Sequence, residues 1–177
     1  MRGAKAGFAR FEDCIFEDSR LDGWLATNAE FVRCTFVGKL TDAVFFGRPD
    51  LIGRWLSRRR INEFAGNDFE QASVWNVDFR YGVALELQRL PADPDLVVIP
   101  DAVARADRLQ RAAAVGGARE RLVAGLLADL MRFGRDAGDA MLYRRTTLAW
   151  VGRDVEDRAL AVAGAIPVRA WTLMGSP

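Results

Sequence analysis

Large apolar residues recur every five positions through the first half of this chain: Phe11, Phe16, Leu21, a small Ala26, Phe31 and Phe36. Neither a helix nor an ordinary strand gives that spacing, because their side chains repeat at about 3.6 and 2.0 residues. After one missing residue the series resumes at Leu40 and Phe45, and it returns at Phe64, Phe69, Val74, Phe79 and Ala84. Two positions before each of these lies a mostly small residue: Ala9, Cys14, Ser19, Ala29, Cys34, Gly38, Ala43, Asn62, Asn67, Ala72, Val77 and Gly82. Trp24 is the exception, and it is paired with the undersized Ala26. Both positions of each unit are expected to point inward and the other three toward water, with each unit forming one side of a square coil of about twenty residues. Phe11 then stacks on Phe31, Phe16 on Phe36 and Cys14 on Cys34, at a strand-like spacing of about 4.8 Å. Phe31 is expected to be buried and Glu30 exposed.

The pattern resembles the pentapeptide-repeat family, over residues 4–47 and 62–86. The resemblance implies a mixed β-solenoid plus α fold. A short right-handed quadrilateral β-helix occupies 1–86, interrupted by an insertion at 48–61. A linker follows at 87–100, then a C-terminal helical domain or cap of three to four helices over 101–177. In the insertion, Asp50 is a capping residue for a short helix starting at Leu51. That helix either lays Leu51, Ile52, Trp55 and Leu56 on the coil or forms a partner-binding lobe that offers Trp55 with Arg54, Arg58, Arg59 and Arg60.

The second half loses the five-residue period. Pro91, Pro94 and Pro100 mark the linker, with Leu96–Ile99 a short extended piece. Helices are expected from Asp101 to Val115, from Ala118 to Phe133, after Asp139 through Val151, and from Asp154 to Ala165, with Pro167 ending the last. Leu122, Leu126, Leu127 and Leu130 form a stripe on the second of these, which is either internal packing or a homodimer seam. The clusters Arg144-Arg145 and Asp154, Glu156 and Asp157 read as solvated helix faces.

The chain has 177 residues, 25 Lys and Arg against 24 Asp and Glu, two cysteines and no histidine. The lack of histidine excludes Ser-His-Asp and Cys-His nucleophile systems and the commonest transition-metal ligand. Two cysteines do not make a four-thiolate zinc site, and at inward positions they serve as small buried hydrophobes. Neither a phosphate-binding loop nor a dinucleotide fingerprint is present. No catalytic residue, cofactor or metal is therefore assigned, and no segment reads as a secretion signal or a membrane span. A cytoplasmic protein with reduced thiols is the expectation.

The near-neutral total hides a division. The repeat segments hold seven basic and twelve acidic residues, the insertion five basic and one acidic, and residues 87–177 thirteen basic and eleven acidic. The acidic face comprises Glu12, Asp13, Glu17, Asp18, Asp22, Asp68, Glu70 and Asp78. Three functions follow from this reading. The first is a non-enzymatic interaction module or scaffold with a protein partner, without direct nucleic-acid or membrane binding. The second is implied by the resemblance: a DNA mimic that protects or regulates DNA gyrase. The third is an enzyme with a site where the two halves join.

Overall fold

A computed structural model describes residues 6–17 and 21–175. The chain divides into two compact units, Met1–Ala92 with Thr172–Pro177 and Asp93–Trp171. The first unit is built from β1 (Arg10–Glu12), β2 (Ile15–Glu17), β3 (Leu21–Asp22), β4 (Leu25–Ala26), β5 (Glu30–Val32), β6 (Thr35–Thr41), β7 (Val44–Phe46), α1 (Leu51–Ser57), β8 (Phe64–Ala65), β9 (Ala72–Trp75) and β10 (Asp78–Arg80). A 3-10 turn at Leu85–Leu87 follows. All three of its sheets are parallel: β1-β5-β8, β10-β7-β4, and a sheet in which β6 pairs with β2, β3 and β9.

The register follows the apolar period. Phe11 pairs with Phe31 and Phe31 with Phe64. Phe16 pairs with Phe36, Leu21 with Leu40, and Phe45 with Phe79. The residue missing between Phe36 and Leu40 is absorbed inside β6, which pairs with β2 at one end and β3 at the other. The rings form one aromatic core. Phe36 stacks on Phe16 and Phe69 with centroids 4.9 and 4.5 Å apart, and Phe31 meets Phe45 edge-on at 5.4 Å. Such pairs add to the area each ring buries. Trp24 fills the space left by Ala26, its indole set edge-on against Phe31 at 5.2 Å.

Polar side chains hold the turns between strands. Asn67 occupies one of the inward small positions and is fully buried. Its amide donates to the Phe31 carbonyl and to Gln88 Oε1, and its Oδ1 accepts from the Cys34 N–H. A buried amide is stabilising only when satisfied in this way. Corners recur in the left-handed region at Asp13, Arg33 and Gly66, and again at Gly23, Asp42 and Asn76. At Asp13, Arg33, Gly66, Gly23 and Asp42, the backbone N–H donates to a carbonyl of a paired strand or of the turn beyond it, as from Asp13 to Val32 and from Arg33 to Ala65.

The second unit holds β11 (Leu96–Ile99), α2 (Ala102–Ala113), α3 (Ala118–Arg132), β12 (Met141–Arg144), α4 (Arg153–Val162) and β13 (Ile166–Pro167), and α5 (Val168–Gly175) begins in it. Its sheet is antiparallel, with β11 between β12 and β13. Ile99, Ala106, Leu109, Val123, Leu127, Met131, Tyr143, Val155 and Leu160 are buried in one core made mostly of aliphatic side chains.

The fold class expected from the sequence is therefore corrected. The described residues form four separate small sheets with five helices, rather than a continuous quadrilateral β-helix followed by a purely helical domain. The strands of the first unit are short and end at left-handed corners, so pairing breaks into separate sheets. In the second unit, Leu96–Ile99 is the central strand rather than linker, with all four residues buried. Met141–Arg144 is its partner strand and not part of a third helix. Gly134 and Gly138 both take positive φ just upstream, which stops helix growth there. Pro167 ends no helix: it sits in the edge strand β13, where a missing N–H is tolerated. Asp101 precedes α2 but makes no side-chain cap bond. Glu30 is buried, not exposed.

Candidate functional site

The insertion carries the most unusual surface among the described residues. Its helix α1 is capped as expected, with Asp50 Oδ1 accepting from the Gly53 N–H at 2.6 Å. Only Gly53 of the helix is buried. A side chain there would run into Asn28, whose Oδ1 accepts from the Asp50 N–H at 3.1 Å. The backbone thus comes close to the body of the unit at one point, and the apolar side chains project the other way. Leu51 is 82% exposed, Ile52 69%, Trp55 79% and Ile61 65%, and Leu56 is exposed as well. The expectation that these residues would lie against the strands is corrected. Seven residues with a single buried glycine present four large apolar side chains to solvent. Neighbouring apolar residues exposed in this way mark interaction sites, unlike scattered single ones.

The arginines of the insertion separate into two roles. Arg59 is a tether: it pairs with Glu30 at 2.5 Å and donates to the Asn28 carbonyl at 2.8 Å. It is thereby removed from the partner-facing set. Arg54, Arg58 and Arg60 are exposed beside the apolar residues. Arg58 closes the helix in the left-handed conformation.

Sequence reasoning missed a groove beside α1. It has a volume of about 470 Å³ and is lined by Phe46, Arg48, Pro49, Leu51, Arg54 and Tyr81, together with Thr27 and Asp50. Tyr81 stacks on Phe46 with centroids 5.6 Å apart. The Arg48 guanidinium lies 5.9 Å from the Tyr81 centroid, and that of Arg80 lies 5.9 Å from the Phe46 centroid. Both are at cation–π distance. Gly47 makes this construction possible, since a Cβ there would sit 2.6 Å from the carbonyl carbon of Gly82 and the oxygen of Tyr81. The only sequence signal was the pair of aromatic residues Phe46 and Tyr81, each just after an inward phenylalanine or one position further on.

The predicted acidic face is an ion-pair lattice. Arg33 pairs with Glu12 at 2.7 Å and with Asp13 at 2.8 Å, and Arg10 reaches Glu12 at 3.0 Å and Glu63 at 2.7 Å. These guanidinium groups hold the Glu12 and Asp13 carboxyls below the usual carboxylate range. Asp68 and Glu70 pair with Arg89, and Asp78 pairs with Arg80. Glu17 is exposed. Asp18 lies outside the described residues, as does the side chain of Asp22. Cys34 is buried, and burial pushes its thiol upward. No cluster of three or more metal-ligating side chains occurs among the described residues. No helix among them is long and apolar enough to cross a membrane.

The stripe on α3 splits. Leu127 is fully buried in the core, which removes it from any seam. Leu122 and Leu130 are exposed and Leu126 is half-buried, with Phe133 exposed beyond them. Among the charges read as solvated, Glu156 is fully buried. Its Oε1 accepts from the Tyr143 hydroxyl at 2.6 Å and from the Leu148 N–H at 2.9 Å. Burial and the adjacent carboxylate push the Tyr143 hydroxyl well above its ordinary value.

The chain matches no family model, no curated protein and no solved structure. The resemblance to pentapeptide-repeat proteins thus rests on the five-residue pattern itself.

Proposed function

We propose that this chain is a protein-binding module whose contact surface is the 48–61 insertion. The observation that supports this reading is the exposure of Leu51, Ile52, Trp55, Leu56 and Ile61 on one short segment, ringed by Arg54, Arg58 and Arg60. Tryptophan and arginine dominate binding energy at protein interfaces, and an apolar centre with a charged rim is the usual anatomy of such a surface. The test is affinity capture by the native protein and by a Trp55→Ala, Leu56→Asp variant whose melting curve is unchanged. A discrete partner held by the native protein and lost by the variant is the expected result. Equal capture by both refutes the assignment.

Mimicry of DNA towards gyrase is supported less. Among the acidic-face residues, Glu12, Asp13, Asp68, Glu70 and Asp78 each pair with an arginine, so much of the face offers neutralised pairs. Self-association is supported by one further observation, the exposed ridge of Leu122, Leu130 and Phe133 on and just after α3. Light scattering on the native protein and on Leu126→Arg tests it. A dimer that the variant reduces to monomer is the expected outcome, and a native monomer ends this reading.

A further inference from the structure

We infer that the second unit binds a small neutral apolar molecule, about the size of toluene, in the pocket where α2, α3 and α4 meet. This site is independent of the insertion. The pocket has a volume of about 180 Å³. It lies where α2 ends at Ala113 and a short turn leads into α3 at Ala118. Its walls are the short side chains of Ala112, Ala113, Ala124 and Ala159, together with the buried Leu109 and Val155. The rest of the same core is filled by larger side chains, among them the fully buried Leu127 and Met131. Protein interiors leave few voids larger than a water molecule, so a space of this size stands out. An apolar cavity of about 150 Å³ stays dry and takes up benzene. Pockets for larger ligands start at about 300 Å³, which limits this one to a compact molecule. Val115, 94% exposed, stands at the mouth, where the ligand enters.

The chemistry of the ligand follows from the commitments around the pocket. Glu120 and Arg158 are the charged residues of the lining, and they pair with each other at 3.2 Å. Arg158 also holds Asp154 at 2.9 Å. A carboxylate ligand therefore finds no free cation, and an ammonium ligand finds Glu120 already paired. In the turn, the Gly116 N–H donates to the Ala113 carbonyl at 2.9 Å, and the Gly116 carbonyl accepts from the Arg121 guanidinium. The polar groups of the mouth are thus satisfied within the chain. A charged ligand has to break the ion pair or be buried beside alanines without a counterion, and both are costly. A neutral apolar molecule displaces no bond and gains the apolar contact.

Methyl NMR spectra of the whole chain, titrated with toluene, test the inference. Saturable shifts of the Ala113, Ala124, Val155 and Ala159 methyls are expected, with the Ala106 methyl unmoved. Toluene should also raise the melting temperature, as a ligand held by the native state alone does. Benzoate and benzylammonium should bind about tenfold more weakly or worse. Ala159→Leu fills the space from α4 and Ala113→Leu from α2, and each should reduce toluene affinity by about tenfold or more. Ala113 is only half-buried, so its variant folds even where Ala159→Leu overpacks the core. No saturable shift, equal affinity for benzoate or benzylammonium, or unchanged toluene affinity in the Ala113→Leu protein would each overturn the inference. Shifts of the same methyls on raising the protein concentration without toluene would assign the pocket to a side chain of a second copy, and would overturn it too.

Discussion

The two units of this chain build their cores by opposite means. The first packs phenylalanine on phenylalanine: Phe31 alone meets Phe11, Phe16, Trp24, Phe36, Phe45 and Phe64 with centroids within 6.0 Å. Its strands are two to four residues long apart from β6, so their backbone pairing is divided among three small sheets. The second closes four-residue and two-residue strands over helices with alanine, leucine and valine, and buries one carboxylate, Glu156, against one tyrosine. A core of large stacked rings depends on every ring at its centre. A core of small side chains spreads that dependence, and its weak point is the buried polar pair.

That contrast is sharpest at Phe31. Phe31→Ala should destabilise the first unit by about 3–5 kcal/mol, because its six aromatic neighbours cannot all close on the space left. Denaturant unfolding followed by near-ultraviolet circular dichroism measures this, and a loss under 1 kcal/mol would show that the stacked core relaxes freely. Tyr143→Phe should cost the second unit about 1–3 kcal/mol, since it leaves Glu156 Oε1 with only the Leu148 N–H in a buried site. The two effects should be additive to within about 0.5 kcal/mol if the sites are independent. Strong coupling in the double variant would break the division into two cores.

A smaller effect separates the second unit by pH. Burial works to raise the Asp93 carboxyl, but the Asp95 N–H and the Arg144 guanidinium, 2.7 Å away, more than offset it and hold it below its ordinary value. A group depressed in the folded state contributes stability above its unfolded pKa, about 3.9, and loses it as pH falls through the lower folded value. The pair is partly exposed, so the gain near neutral pH is about 1 kcal/mol or less. Asp93→Asn should therefore lower the melting temperature near neutral pH and leave it unchanged in strong acid. A difference that persists in strong acid would assign the loss to packing instead. The smallest effect is expected at Trp55. With its indole in solvent, Trp55→Ala should change stability by no more than about 0.5 kcal/mol. A larger loss would mean that α1 packs after all.

Legibility in the sequence follows the same contrast. A five-residue period fixes position for position which residue points inward, so the stacking of Phe11 on Phe31 and of Phe16 on Phe36 is legible in the sequence, whereas the pairing of Phe31 with Phe64 across the insertion is not. The period says nothing about how the backbone pairs, and the separate sheets were not legible. Glu30 was misplaced because its burial depends on Arg59, which reaches it from the insertion 29 residues later in the chain. In the second unit, Leu96–Ile99 and Met141–Arg144 are apolar runs too short for periodicity to tell strand from helix, and only their antiparallel pairing with one another decides it. The α1 lobe was legible as an alternative, from Trp55 and its arginines. The groove was not, because it needs Phe46 and Tyr81 to meet across residues that share no local pattern.

The most direct measurement places a photo-reactive amino acid at position 55 and, in a second protein, at position 87, where Leu87 is also exposed in the same unit. Irradiation in extract should give one discrete adduct from position 55, lost on adding Arg54→Glu, and none of the same mass from position 87. No adduct from position 55, or the same adducts from both positions, would contradict the assignment of the insertion as the contact surface.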